Sequence, residues 1–310
     1  MRVLVTGSSG WLGTWLIPRL RADGHAVIGL DLRPGALTDV VGSVADRALV
    51  RAAIGGHRID AIVHGGALHK PNIETHARED FLEVNVRGTF NLLEEAVAQK
   101  VARFVFTSTT SLMVSREVRA AGVPEAVWMT EDFAPMPRNI YGVTKLAAEH
   151  LCRLTHELHG LPVVVLRTAR FFPEVDDMAH AIAQSGPNTK ANEFLFRRLT
   201  AADAAEAHIA ALAKAPALGF DTFIICAAPP FAASDRASLM TNAPAVVARY
   251  FPDLPAIYGR LGWTMFDRID RVYDPARAFA RMGFRCRTDF RAVLDALAAG
   301  AMPDYLTTSA

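Results

Sequence analysis

Three glycines in the register T-G-x-x-G-x-x-G, set between two short β-branched runs, constrain this chain more than any other feature. Arg2 to Thr6 (RVLVT) reads as a strand buried on both faces, and Gly7, Gly10 and Gly13 follow it. A helix is expected from about Trp11 to Ala22, then a second strand from Ala26 to Leu30 with Asp31 at its end. A diphosphate needs backbone N–H donors and the positive end of a helix, and a Cβ in the turn would block its approach. The backbone of Gly7, Gly10, Trp11, Leu12 and Gly13 is therefore the expected diphosphate cradle of a dinucleotide. Asp31 lies 18 residues past Gly13, near the spacing for a carboxylate that accepts bonds from the adenosine ribose hydroxyls. Such a carboxylate repels a 2′-phosphate, which favours NAD over NADP. Arg33 is the opposing signal, since a guanidinium two residues on can pair with that phosphate.

Strand and helix patterns alternate through the first half, which predicts a parallel sheet with helices on both faces. Strands are expected at Asp39–Val44, Ala61–His64, Arg103–Thr107 and Leu161–Arg167, and helices at Asp46–Ile54, Glu79–Gln99 and Ile140–Leu158. Met113 to Asn139 reads as loop, and Phe171 to Asn192 as irregular. Residues 201 to 215 are alanine-rich at helical spacing and lead to a strand at Thr222–Cys226. Further helices are expected near Asp235–Tyr250 and Asp289–Ala299, the last capped by Thr288 or Asp289. The fold class is α/β: a Rossmann-type doubly wound parallel sheet with a smaller, mostly helical C-terminal region. Residues 1–169 form the dinucleotide-binding domain, with 201–226 packing back on it. Residues 170–200 and 227–310 form the substrate-binding region.

Composition excludes several classes of partner. Apolar residues make up 51% of 310, enough for a sizeable core, and the formal net charge of +1 leaves no basic footprint for nucleic acid or an anionic membrane. Cys152, Cys226 and Cys286 stand alone, without a C-x-x-C pair, so neither a disulfide framework nor a zinc cluster is indicated. His64, His69 and His76 fall on different elements, and no metal site is expected. The opening apolar run is too short for a signal peptide, and no apolar stretch is long enough to span a bilayer. The expectation is a cytoplasmic protein.

The chemistry centres on Tyr141-Gly-Val-Thr-Lys145. Four residues apart at the start of a helix, the phenol and the ammonium share one face. A phenol titrates near pH 10, and a neighbouring cation favours its ionised form. Tyr141 is thus placed to take a hydroxyl proton while hydride leaves the same carbon, and to return it in reverse. Lys145 is also expected to hold the nicotinamide ribose. A regulator that binds dinucleotide without turnover needs neither residue.

The chain resembles the extended short-chain dehydrogenases/reductases, the group of nucleotide-sugar epimerases and dehydratases such as UDP-galactose 4-epimerase. The anchors are TGSSGWLG at Thr6 to Gly13, Asp31, VHGGA at Val63 to Ala67, NVRGT at Asn85 to Thr89, FVFTSTTS at Phe104 to Ser111, YGVTK at Tyr141 to Lys145, and YDPARA near the C-terminus. The resemblance implies that Thr109, Tyr141 and Lys145 are catalytic and that Ser111 supplies a second hydroxyl toward substrate. It places Gly65, Gly66, Ala67 and Leu68 along the cofactor diphosphate and ribose. It adds Ser43 and Val44 at the adenine edge, Asn85 near the cofactor, and Thr107 among the cofactor contacts. It also implies a homodimer formed by the helices at Glu79–Gln99 and Ile140–Leu158.

Departures from the pattern narrow the reaction. Dehydratases of this group carry Asp-Glu directly after the catalytic Thr, where this chain has Thr110 and Ser111, so water elimination lacks its proton carriers. Ser43 stands where the family usually has Asp. Leu112-Met113-Val114 replaces the usual V-Y-G, and Arg170 replaces an asparagine that usually faces the nucleotide. Arg170, Arg197 and Arg198 are candidates for holding a carboxylate or phosphate, and His69, just past the cofactor loop, for touching substrate. The expected activity is NAD-dependent hydride transfer at a secondary alcohol of a sugar or nucleotide sugar. Epimerisation and simple dehydrogenation share this machinery.

Overall fold

The computed structural model describes residues 1–115, 118, 123–173 and 184–308. The chain opens with β1 (Arg2–Thr6), α1 (Trp11–Ala22), β2 (Ala26–Asp31), β3 (Val40–Val41), α2 (Arg47–His57) and β4 (Ala61–His64). Next come α3 (Arg78–Phe81), a π-helical stretch (Leu82–Arg87), α4 (Gly88–Ala98), β5 (Arg103–Thr109), β6 (Val127–Met129), α5 (Ile140–His159) and β7 (Val163–Thr168). The remainder is α6 (Gly186–Glu193), α7 (Ala201–Leu218), β8 (Phe220–Ile225), α8 (Arg236–Thr241), α9 (Ala243–Tyr250), α10 (Leu254–Leu261), β9 (Arg271–Tyr273), α11 (Phe290–Ala298) and α12 (Asp304–Thr307).

Seven strands form one parallel sheet in the order β3-β2-β1-β4-β5-β7-β8. The order reverses between β1 and β4. In open sheets of this kind ligands bind beyond the carboxyl ends of the strands at such a reversal, and here that position holds the glycine turn and the Gly65-Gly66 loop. The inner strands β4 and β7 are buried along their whole length and β1 from Val3 onward, which is why they read as continuous β-branched runs rather than alternating ones. On one face Leu4, Ile62, Phe104 and Val163 pack with Ile54, Leu92, Leu93 and Ala148 from α2, α4 and α5. On the other, α1 buries Leu16, Ile17 and Leu20, and Arg19 reaches Glu206 on α7 at 3.0 Å.

The chain divides into two compact units. The first comprises residues 1–114, 134–168 and 204–223; the second, residues 115–133, 169–203 and 224–310. The second has its own core, built on Phe194, Phe196, Leu239, Val247, Ile257 and Phe290, and a two-stranded parallel sheet of β6 and β9.

Several elements differ from the sequence expectation. The helix at 79–99 is not uniform, because a π-helical turn interrupts it around Asn85. The stretch from Phe171 to Asn192 holds α6, opened by the Ser185 side chain accepting from the Asn188 amide. Its residues 174–183 lie outside the described residues, as do 116–117 and 119–122 of the expected loop. The strand expected at 39–44 shrinks to Val40–Val41. The helix expected at 235–250 breaks at Asn242, whose side chain caps α9. Asp289 caps α11 through the Ala292 amide at 2.9 Å. Among the described residues no helix is long and apolar enough to cross a membrane.

Candidate active site

The glycine turn is shaped by close approach. Gly7 has φ +78, and a Cβ there would lie 2.8 Å from the Gly66 nitrogen; one on Gly13 would lie 2.5 Å from the Gly7 carbonyl oxygen. Gly10 opens α1 with no side-chain cap, so the first turn presents amide donors to an incoming anion rather than to its own chain. Asp31 is held beside this turn: its carboxylate accepts from the Ser9 amide at 3.0 Å and the Arg33 amide at 2.9 Å. Each oxygen keeps a lone pair for a ribose hydroxyl. A cleft of about 350 Å³ lined by Ser9, Thr14, Arg33, Pro34 and Gly35 adjoins it. The residues fit a dinucleotide: the cradle is one that any Cβ would fill, and its helix start is uncapped.

Ser43 and Val44 lie just before α2. The Ser43 hydroxyl accepts from the Ala45 amide at 3.1 Å, and Val44 packs in the core against Gly88. Gly65 and Gly66 lie against the glycine turn, and the Gly66 amide donates to Thr6 Oγ1 at 3.0 Å; Ala67 and Leu68 follow in the same loop. Asn85 is buried and grips Leu68 through both its backbone groups, donating to the carbonyl at 2.9 Å and accepting from the amide at 2.8 Å. It ties the loop to the π-helical stretch.

Beyond β5 the chemistry converges. Asn139 caps α5 by accepting from the Gly142 amide at 2.9 Å, which sets Tyr141 in the first turn and Lys145 one turn later. Lys145 Nζ donates to the Thr107 carbonyl at 2.8 Å and sits 4.6 Å above the Phe106 ring. Thr109 Oγ1 accepts from the Ser111 amide at 3.1 Å, and the Thr109 side chain favours the ionised phenol of Tyr141. Ser108, by contrast, is committed: its hydroxyl donates to Glu149 Oε1. Of the hydroxyls at this strand end, Thr109 is the one brought to Tyr141.

One expectation is corrected here. Lys145 was expected to make the phenol more acidic, yet burial pushes Tyr141 up to about 12, with only the Thr109 side chain opposing. Burial likewise lowers Lys145 to about 8, against the opposing influence of Cys152 and Glu149. For both groups desolvation is the largest influence.

Three supporting groups escaped the sequence reading. Glu149 follows Lys145 at i+4, on the face of Tyr141 and Lys145, and that spacing was the available signal. It pairs with Arg167 on β7 at 2.8 Å, both side chains being buried. His208 accepts the Thr107 hydroxyl at Nε2 (2.8 Å) while its Nδ1–H donates to the Ala204 carbonyl at 2.7 Å. Nothing in local sequence pairs residues so far apart.

The proposed substrate contacts each have local partners. Ser111 touches Thr109 only through its amide. His69 opens a short 3₁₀ turn, its amide donating to Asn72 Oδ1 at 2.9 Å. Arg170 and Arg198 belong to the second unit, where they gather with Arg197 around a buried acid, Glu193. Arg197 and Arg198 are buried rather than solvated surface. No cluster of three or more metal-binding side chains occurs among the described residues.

A seven-stranded parallel sheet with a glycine turn at its reversal, and a Tyr-x-x-x-Lys helix beyond β5, defines an extended short-chain dehydrogenase/reductase. The chain belongs to the NAD dependent epimerase/dehydratase family, whose profile matches residues 3–226. It is 32% identical over 174 residues to a UDP-glucose 4-epimerase of Halalkalibacterium halodurans, covering 54% of this chain and 50% of that one. It is 32% identical over 172 residues to an L-arabinose 1-dehydrogenase (NAD(P)(+)) of Haloferax volcanii, covering 54% and 65%. The chain spans about half the length of the curated relatives it matches. Among solved structures it is similar to a short-chain dehydrogenase/reductase superfamily protein of Agrobacterium tumefaciens with bound NAD, at TM-score 0.67 and 26% identity over 96% of each chain. A UDP-N-acetylglucosamine 4-epimerase from Bacillus cereus shares the fold at TM-score 0.66 and 21% identity, covering 96% of this chain and 98% of that one.

Proposed function

We propose that this protein is an NAD-dependent oxidoreductase that moves hydride reversibly at a secondary alcohol of a sugar or nucleotide sugar. The observation that carries this reading is the convergence of Tyr141, Lys145 and Thr109 beyond β5. The backbone of Gly7, Gly10, Trp11, Leu12 and Gly13 would hold the diphosphate, Asp31 the adenosine ribose, the 65–68 loop the middle of the dinucleotide, and Lys145 with Tyr141 the nicotinamide ribose. When bound, NAD supplies the hydride acceptor and a positive charge on its oxidised ring. Thr109 orients the substrate hydroxyl, and Tyr141 takes its proton. Arg170 and Arg198 are the proposed contacts for an acidic group on the substrate; the buried Arg198 Nη2 has no hydrogen-bond partner. Dehydration is disfavoured, because Thr110 spends its hydroxyl on the Thr168 carbonyl and no acid–base pair follows Thr109.

The test is NAD stoichiometry. Purified protein is expected to bind NAD+ more tightly than NADP+. It is also expected to act on at least one member of a panel of nucleotide sugars, uronates and free sugars. Turnover with only catalytic NAD+ identifies an epimerase, and one NADH per turnover identifies a dehydrogenase. Failure to bind either dinucleotide overturns the reading.

A homodimer is proposed on α4 and α5. Val143, Leu154 and Leu158 are exposed along one stripe of α5, and Leu82 and Phe90 are exposed on the π-helical stretch and α4 that neighbour it. In sedimentation the wild-type protein is expected at twice the chain mass, and the double variant Leu154→Glu, Leu158→Glu at the chain mass. A wild-type monomer refutes the dimer.

A further inference from the structure

We infer that His64 and Thr89 are positioning residues: through one unbroken hydrogen-bond relay they set the 65–68 loop and the catalytic helix α5 in register. What the loop holds rests on the proposed function; the relay itself does not.

The donors and acceptors fix every proton in it. Asn85 Nδ2 spends both hydrogens, one on the Leu68 carbonyl at 2.9 Å and one on Thr144 Oγ1 at 3.1 Å. Thr144 therefore accepts there, and its own hydrogen goes back to the Ile140 or Tyr141 carbonyl, at 2.9 and 3.0 Å. Thr89 donates to the Asn85 carbonyl at 2.6 Å, so toward His64 Nε2, 3.0 Å away, its oxygen can only accept. His64 must then carry its proton on Nε2. In the neutral ring Nδ1 is bare and accepts from Thr6 Oγ1 at 2.7 Å, while Thr6 accepts the Gly66 amide at 3.0 Å. The relay runs from Gly66 through Thr6, His64, Thr89 and Asn85 to Leu68 and Thr144.

Its ends matter more than its length. Both ends of one short loop, Gly66 and Leu68, hang on it, and Thr144 lies between Tyr141 and Lys145. The ring is packed beside Phe104 and Phe106, the latter also carrying Lys145. Burial, helped by the charge of Lys145, holds His64 well below the ordinary histidine range and so keeps it neutral. The π-helical turn gives the relay its geometry: Asn85 sits within it, and Thr89 reaches back to the carbonyl four residues earlier. A protonated His64 would present a hydrogen to Thr6, and Thr6's own hydrogen would lose its acceptor in a dry site.

The test compares Thr89→Val, which is nearly isosteric but cannot accept, with Thr89→Ser, which can. In the cofactor-free protein Thr89→Val is expected to speed amide hydrogen exchange at Gly66 and Leu68 by about tenfold or more, and Thr89→Ser to leave both near wild type. Histidine nitrogen spectra of the wild type are expected to show His64 neutral, with Nε2 protonated. With NAD+ in calorimetry, Thr89→Val is expected to bind about tenfold more weakly, the equivalent of about 1.4 kcal/mol, with Thr89→Ser restoring affinity. An Nδ1–H tautomer, or a Thr89→Val protein that loses thermal stability while keeping wild-type exchange at both amides, overturns the relay. Absence of NAD+ binding by the wild type sinks the proposed function instead, and the exchange and nitrogen data still decide the relay.

Discussion

Tyr141→Phe is expected to lower kcat by about 10²- to 10⁴-fold, the range that a positioned general acid–base supplies. The ring is buried, so phenylalanine fills the same space, and the fold should be unaffected. NAD+ affinity should change by only a few-fold, because the diphosphate cradle and Asp31 are untouched. This separation is what makes the variant informative. In the cofactor-free protein burial holds the phenol at about 12, so phenolate is scarce near neutral pH. Lys145, whose ammonium donates to the Thr107 carbonyl, does not reverse this. Proton transfer then depends on the charge that the oxidised dinucleotide brings, or on departure of the proton together with the hydride. The kcat–pH profile, which reports the NAD+-bound complex, should therefore show an alkaline group well below 12, and that limb should vanish in Tyr141→Phe. A variant that keeps wild-type turnover would remove Tyr141 from the chemistry.

What was legible in the sequence was local. The glycine turn, Asp31 and the Tyr-x-x-x-Lys pair each sit within one turn of their own element, so residue type and spacing were enough to place them. Burial was not legible. Spacing puts Lys145 one turn after Tyr141 on α5, but the sign of the phenol's shift is set by desolvation, which depends on how the chain closes over it. Long-range partners were equally hidden: His208 reaches Thr107 and Arg167 reaches Glu149 only because strands and helices far apart in the chain become neighbours. The π-helical turn at Asn85 was missed because one inserted residue leaves the apolar periodicity of 79–99 nearly intact. Ser43 and Val44 were placed by resemblance alone; in the fold Ser43 accepts from the Ala45 amide just before α2, and Val44 packs in the core. In the second unit, the gathering of Arg170, Arg197 and Arg198 on Glu193 had no sequence signal beyond the i+4 spacing of Arg197.

Lys145→Met is expected to reduce kcat by about 100-fold or more while raising thermal stability at pH 7, a pairing that a purely structural lysine would not give. Lys145 is almost wholly buried, and desolvation lowers it from 10.5 to about 8. The unfolded chain therefore binds this proton more tightly than the folded one. Below pH 8 both states hold it, and the mismatch is a standing cost on the order of 3 kcal/mol. As pH rises from about 8 toward 10.5 the folded protein releases the proton first, and wild-type stability climbs relative to a variant with nothing to titrate. Methionine keeps most of the apolar stem but forfeits the bond to the Thr107 carbonyl, which returns about 1.5–3 kcal/mol of the gain. The net stabilisation at pH 7 is then about 1 kcal/mol, and the advantage should shrink and reverse by pH 10. Denaturant titrations of both proteins across that range check the sign. A Lys145→Met protein less stable than wild type at pH 7, with a gap that does not move with pH, would mean that the ammonium is fully compensated where it sits. It would then be no strained group held for catalysis.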